Sequence, residues 1–201
     1  MKVVAIIGSY RKGRIIDTAV TEILRGADSA GADTEKIYLI DQDIEFCRNC
    51  RECTQAPGDE PGQCFHQDAM SGLIDKCLAA DLLVLASPVN MGSATAITKR
   101  FLERLVPLGY WPYGQPGPKF RKPAPKLRRA VLVSSSAAPA FLARLQPGAK
   151  QVLRYIAKLF EAKVVKTLHY GLAAYKRDTA LPEKSKREAF ALGARLARLR
   201  T

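Results

Sequence analysis

Histidine, tryptophan and cysteine are scarce: 201 residues carry two, one and five of them. His66 and His169 lie far apart, and neither belongs to a nucleophile–histidine–acid arrangement; no paired-carboxylate signature is readable either. A hydrolase built on a triad or on two acids is therefore not the first reading. No stretch approaches the roughly 20 apolar residues that a membrane helix needs, so no membrane partner is expected. The chain has no Gly-Lys-Ser/Thr Walker loop and no Gly-x-Gly-x-x-Gly, which disfavours a P-loop nucleotidase and a dinucleotide fold. Internal repeats and low-complexity tails are absent. Acids are scarce, at 19 Asp and Glu against 32 Lys and Arg, for a net charge of +13.

The shortage of acids is local. Residues 1–118 carry 12 Lys/Arg and 15 Asp/Glu, whereas residues 119–201 carry 20 and 4. Such a basic half attracts anions, namely phosphorylated cofactors, an acidic electron-transfer partner or nucleic acid, or it is simply a set of solvated helical faces. No aromatic-interleaved basic motif of an RNA-binding module is present, so no nucleic-acid partner is expected. A hydrophobic fraction of 47% and a charged fraction of 25% are those of a soluble globular protein. The length suits one domain over 1–201 with a substantial core. The apolar start, Met1 to Gly8, is too short for a signal peptide and ends in a glycine turn, so it reads as a buried strand. With clustered thiols, this leads to an expected cytoplasmic, reducing location.

Strand and helix patterns alternate. Continuous or alternating apolar runs at Lys2–Gly8, Thr34–Ile40, Leu82–Ala86, Ala130–Ser134 and Val164–His169 read as strands. Helical spacing occupies Asp17–Ala30, Asp68–Ala80, Ala94–Leu105, Gln151–Phe160 and Glu183–Leu199. The expectation is an α/β fold, a doubly wound five-stranded parallel sheet in the order 2-1-3-4-5 with helices on both faces. Ligands would then bind at the carboxyl ends of strands one, three and four. Two insertions break the alternation: a cysteine-rich one at 43–66, and one at 106–129 with six prolines and the run Tyr110-Trp111-Pro112-Tyr113-Gly114.

Three loops fall at that carboxyl edge. The first, Gly8-Ser9-Tyr10-Arg11-Lys12-Gly13-Arg14-Ile15-Ile16, leads from a strand into a helix. Its amides, hydroxyl and guanidinium suit a phosphate monoester. The second, Ser87-Pro88-Val89-Asn90-Met91-Gly92-Ser93, offers backbone amides to the rim of a planar ligand, with Pro88 and Gly92 fixing its path. The third, Ser134-Ser135-Ser136-Ala137-Ala138, is small enough for a flat ring to approach the backbone.

The cysteines form Cys47-x2-Cys50-x2-Cys53-x10-Cys64, four thiols that converge only if a loop folds them inward. Four thiolates are what a 4Fe–4S cluster needs. Zinc, a redox pair at Cys50 and Cys53, and idle thiols are the other readings. Arg48 and Arg51 would offset thiolate charge, and His66 is a possible substitute ligand or a solvated loop residue. Cys77 lies on the apolar face of its helix and reads as core.

The first loop resembles the Gly-Ser-Pro-Arg-Lys-x-Gly phosphate loop of NADPH-dependent FMN reductase-like proteins. Ser87–Gly92, with Lys99, Arg100, Phe101 and Arg104, is similar to their Ser-Pro-Val-Tyr-x-Gly loop and the Lys-x-Phe-x-x-Arg helix after it. The cysteine block is similar to that of the iron–sulfur flavoprotein branch, although its final gap is longer. The likeness spans residues 1–105 and continues weakly beyond. It implies a flavodoxin-like fold and an FMN phosphate held by Ser9, Arg11 and the amides of Lys12–Ile16, among them Lys12, Gly13, Ile15 and Ile16. It implies an isoalloxazine bordered by Pro88, Val89, Asn90, Met91, Gly92 and Ser93, with Ser135 and Ser136 nearby, and Cys47, Cys50, Cys53 and Cys64 as cluster ligands. Ile15 and Ile16 replace the Asn and Thr/Ser of many relatives, and Asn90 replaces the usual flavin-loop aromatic. Trp111 or Tyr113 is a candidate stacking group, against the simpler role of anchoring its own loop.

The expected activity is that of an FMN-dependent NAD(P)H oxidoreductase passing electrons to a small acceptor. The alternatives are an electron carrier between protein partners and a nucleic-acid-docking protein. No side chain is expected to act as a catalytic acid or base, because the cofactor carries the chemistry. A homodimer or higher homo-oligomer is expected, with residues 106–129 as the candidate arm.

Overall fold

The computed structural model describes residues 1–121, 127–142 and 148–199. Strand β1 (Lys2–Ile7) is buried on both faces, as its unbroken apolar run requires. It pairs in parallel with β2 (Asp33–Tyr38) on one side and with β3 (Leu82–Asn90) on the other. Strand β7 (Arg128–Ser135) follows β3, and β8 (Ala162–Tyr170) forms the far edge, with a register shift opposite Ala130/Val131. The parallel strands thus run β2-β1-β3-β7-β8, the expected order. Among the described residues the five parallel strands are joined by a two-residue strand, β4 (Ser93–Ala94), which pairs antiparallel with the end of β3. A separate hairpin, β5 (Gly109–Tyr110) with β6 (Lys119–Phe120), lies within the second insertion. Residues 122–126 of that insertion lie outside the described residues.

Alternate residues of each strand serve opposite faces. Val4, Ile6, Leu83, Leu85 and Leu132 pack with α2 (Met70–Ala79), α3 (Ala96–Glu103) and α4 (Gly148–Leu159). Val3, Ala5, Ile7, Val84 and Val133 pack with α1 (Ile15–Asp28) and α5 (Glu183–Arg198). Both faces are therefore covered, as a parallel sheet demands. Cys77 is fully buried among Leu73, Ile74 and Ala80, as its helical position implies, and burial pushes its thiol up to about 12. Arg128 is also buried. It donates to Leu78 O at 2.7 and 2.9 Å and to Phe160 O at 3.4 Å, satisfying carbonyls at the ends of α2 and α4. Among the described residues, no helix is long and apolar enough to cross a membrane.

Candidate flavin cleft and cysteine cavity

The loop after β1 is braced by its own polar groups. Ser9 Oγ accepts the Arg11 N–H and donates to Arg11 O, both at 3.2 Å. Gly13 turns the chain at φ +71°, and its N–H donates to Asp17 Oδ2. Tyr38 OH donates to the other oxygen of Asp17 at 2.8 Å, and Lys36 pairs with it. Burial raises the Asp17 carboxyl, but Lys36, the Gly13 N–H and Tyr38 together hold it below the usual carboxylate range. The carboxylate thus fixes the loop from below. Helix α1 opens at Arg14, whose side chain makes no capping bond. Ile15 and Ile16 are buried in the core, so what they offer a ligand is the uncapped N–H groups of the first helical turn.

Gly8 sits where β1, β3 and α3 meet, and a Cβ there would run into Thr98 Oγ1. A buried hydroxyl network secures the junction. Thr95 Oγ1 donates to Gly8 O, Ser87 Oγ accepts the Thr95 N–H at 3.2 Å, and Thr98 Oγ1 donates to Ser87 Oγ at 3.2 Å. On the other side, His169 bridges two serines of β7 and its loop: Nδ1 lies 2.8 Å from Ser134 Oγ and Nε2 3.0 Å from Ser136 Oγ. Burial, and then the Lys150 charge, lower the His169 pKa from 6.5.

These elements enclose a cleft of about 180 Å³. Of the candidate flavin residues, it gathers Ser9, Arg11, Ile15, Ile16, Pro88, Val89, Ser135 and Ser136. Lys12 and Gly13 do not line it. Lys12 turns toward β2, where Nζ pairs with Asp41 at 2.6 Å and lies 4.8 Å from the Tyr38 ring centre, and the Gly13 N–H is taken by Asp17. Asn90, Met91, Gly92 and Ser93 do not line it either. They form the β3–β4 hairpin, whose tip, Met91 and Gly92, has φ +48° and +74°, and Met91 is 97% exposed. Two successive positive φ values are the mark of a tight primed turn. Sequence reasoning offered only the backbone amide of Arg14 and missed Arg177 and Thr179, all three of which also line the cleft. Arg14 was readable as one more cation in a basic loop. Arg177 and Thr179 arrive from the chain after β8, which carries no motif.

The four cysteines of the first insertion line one cavity of about 580 Å³. Asn49 and Arg51, between the first three, take φ +54° and +62°, turns that let closely spaced thiols face one space. Arg48, Arg51 and Arg104 also line it, with an apolar wall that includes Phe65, Trp111, Phe120 and Leu159. His66 lines it too, and its buried Nε2 has no hydrogen-bond partner. Burial, and then Cys64, Cys47 and Cys50, push the Cys53 thiol up to about 11, the opposite of an activated redox thiol. Four thiols and a neutralising set of guanidiniums fit an iron–sulfur cluster in kind. In spacing they do not yet fit: among the described residues, no three Cys, His, Asp or Glu side chains are gathered closely enough to share a metal ion.

The insertion is anchored at both ends by Arg104, the residue after α3. Its guanidinium pairs with Asp68, donates to Glu45 O at 2.8 Å and reaches Cys64 Sγ at 3.7 Å. Asp68 in turn accepts the Glu45 N–H at 2.8 Å and the Met70 N–H at 3.0 Å. The second insertion packs on the first. The Arg51 guanidinium lies 3.8 Å from the Trp111 ring centre and donates to Trp111 O at 2.6 Å, and Trp111 N–H donates to Thr54 O at 2.9 Å. Tyr113 OH donates to Cys50 O at 3.1 Å, and the buried Arg121 donates to Ala56 O and Gly58 O, each at 2.7 Å. Trp111 and Tyr113 therefore hold the cysteine segment. Within one chain they do not line the flavin cleft.

The iron–sulfur flavoprotein of Archaeoglobus fulgidus is 32% identical over 116 residues, 56% of this chain and 49% of that one. The chain spans about half the length of the curated relatives it matches. An FMN-dependent NADH-azoreductase from Bacillus anthracis, solved in complex with FMN, superposes with a TM-score of 0.68 at 11% identity, covering 98% of this chain and 100% of that one. An archaeal flavodoxin gives 0.56 at 10% identity, covering 98% and 96%; at such identities these two likenesses establish the fold, a flavodoxin-like one. The family model for NADPH-dependent FMN reductase matches residues 1–176, and the chain belongs to that family.

Proposed function

We propose that the chain is an FMN-dependent NAD(P)H oxidoreductase that passes electrons to a small acceptor. The observation that carries this reading is the single cleft in which the loops after β1, β3 and β7 meet. Ser9, Arg11 and the first-turn amides of α1 would hold the FMN phosphate, where backbone N–H groups and guanidiniums favour an anion. Pro88 and Val89, with Ser135 beside Pro88 in the sheet and Ser136 following it, would border the ring. When bound, FMN supplies hydride acceptance from a reduced nicotinamide and onward transfer of electrons. The chain's own part is to bind and orient. The hydroxyl network of Ser87, Thr95 and Thr98 keeps two of the loops at fixed separation, and His169 fixes Ser136 at the third.

Cys47, Cys50, Cys53 and Cys64 are proposed as ligands of an iron–sulfur cluster. The naming of the curated relatives and the shared cavity support this assignment. Ligation requires the 47–64 segment to draw inward. A second reading, an electron carrier between protein partners, is favoured by the same cysteines, because a cluster passes single electrons. Anaerobic turnover separates the two: steady oxidation of NADPH or NADH with a quinone or free flavin as acceptor supports the reductase. Flavin-loaded protein that shows no such oxidation supports the carrier.

A further inference from the structure

Ile15 and Ile16 leave the start of α1 with no polar side chain for a phosphate, yet the cleft is lined by three arginines, Arg11, Arg14 and Arg177. Two of them already hold the segment after β8. Arg11 Nη2 donates to Arg177 O at 3.3 Å, and Arg14 Nη2 pairs with Asp178 Oδ1 at 3.2 Å. That segment has a defined path. Leu172 N–H donates to Ala138 O at 3.0 Å and Ala173 N–H to Ser136 O at 2.9 Å; Thr179 Oγ1 accepts the Lys176 N–H at 2.9 Å, and Leu181 is buried beyond it.

We propose that phosphate recognition in this chain is carried by an arginine clamp, Arg11, Arg14 and Arg177, in which Asp178 occupies Arg14 until a phosphate monoester displaces it. This rests on the reading of the cleft as an FMN site. The Asp178 carboxylate, outside the cleft lining, already pairs with Arg14 as a phosphate oxygen would, and it is the only acid pairing with the clamp among the described residues. The Arg14–Asp178 pair is exposed and weak, whereas a guanidinium bonded to a phosphate dianion is a stronger, charge-assisted contact, so exchange favours the phosphate.

The test compares FMN with riboflavin, which lacks the phosphate, by flavin fluorescence quenching on the full chain freed of flavin. Arg14→Gln and Arg177→Gln are each expected to weaken FMN binding about tenfold or more and to leave riboflavin binding unchanged. Asp178→Asn is expected to tighten FMN binding by about two- to fivefold, because it removes the competing carboxylate. Equal losses for FMN and riboflavin, unchanged FMN binding in both arginine variants, or weaker FMN binding in Asp178→Asn would each overturn the clamp. If the unaltered chain binds neither flavin, the proposed function fails, and the clamp is judged by calorimetric titration with inorganic phosphate. Phosphate binding that both arginine variants lose would sustain the clamp, and no phosphate binding would overturn it.

Discussion

The Arg104 guanidinium and the Asp68 carboxylate pair with side chains only 2% and 3% exposed, and the same guanidinium reaches Cys64 Sγ at 3.7 Å. One side chain at the end of α3 therefore ties both ends of the cysteine insertion to the sheet's helical layer. A buried pair of this kind is weak support for stability as such, because desolvation offsets most of its attraction. Its value here is positional, since it fixes where Cys64 stands relative to the other three thiols.

Removing one partner leaves a buried charge alone. Arg104→Ala or Asp68→Ala is expected to cost about 3–5 kcal/mol in urea unfolding. The double variant Arg104→Met with Asp68→Leu should recover most of that loss while still releasing Cys64. A single variant with an unfolding midpoint like that of the unaltered chain would mean the pair is not buried in solution.

The two insertions are expected to behave as one unit. Trp111→Ala removes the surface on which Arg51 stacks, and should speed modification of the four clustered thiols by a thiol reagent. FMN affinity should not change, because Trp111 does not line the cleft. Slow, unchanged thiol modification with weakened FMN binding would instead place Trp111 at the flavin.

Gly8 is expected to tolerate no side chain. Gly8→Ala would drive a methyl into Thr98 Oγ1 and is predicted to destabilise by about 1–3 kcal/mol, the usual cost of overpacking. Thr98→Ala in the same chain should return part of it. Thermal unfolding of the two single variants and the double variant measures this directly.

The His169 pKa is lowered on folding, so the unfolded chain takes up that proton more readily. Its stabilising contribution is complete above 6.5 and is lost as pH falls from there through the folded pKa. Asp17 and Asp68, both lowered from 3.8, act only in a more acidic window. His169→Asn should therefore flatten the stability profile just below pH 6.5 and leave the acid limb intact. An unchanged slope in that interval would remove His169 as its cause.

The sheet was legible because a central parallel strand must be apolar where it is covered, and Val3–Ile7 and Leu82–Ala86 are. The phosphate loop was legible because strand, glycines and cations occur in one short run. Three things were not. The β3–β4 hairpin, which Asn90–Ser93 form, depends on positive φ at Met91, which nothing in a methionine announces. Arg177 and Thr179 reach the cleft through pairing between residues 136–138 and 170–173, a tertiary fact without a local signature. The role of Trp111 turned on Arg51, sixty positions away, and the two insertions each looked like a loop in isolation.

We propose above that the chain is a flavoenzyme, and its cofactor would lie in the cleft of Ser9, Arg11, Pro88 and Ser136. The most direct test is the absorption spectrum of anaerobically purified protein, with flavin, iron and sulfide assays, before and after NADPH or NADH. Flavin bands that bleach on addition of the nicotinamide are the predicted result, with about four irons per chain if the cysteines hold the proposed cluster. Protein that shows no flavin bands and does not take up added FMN would contradict the account.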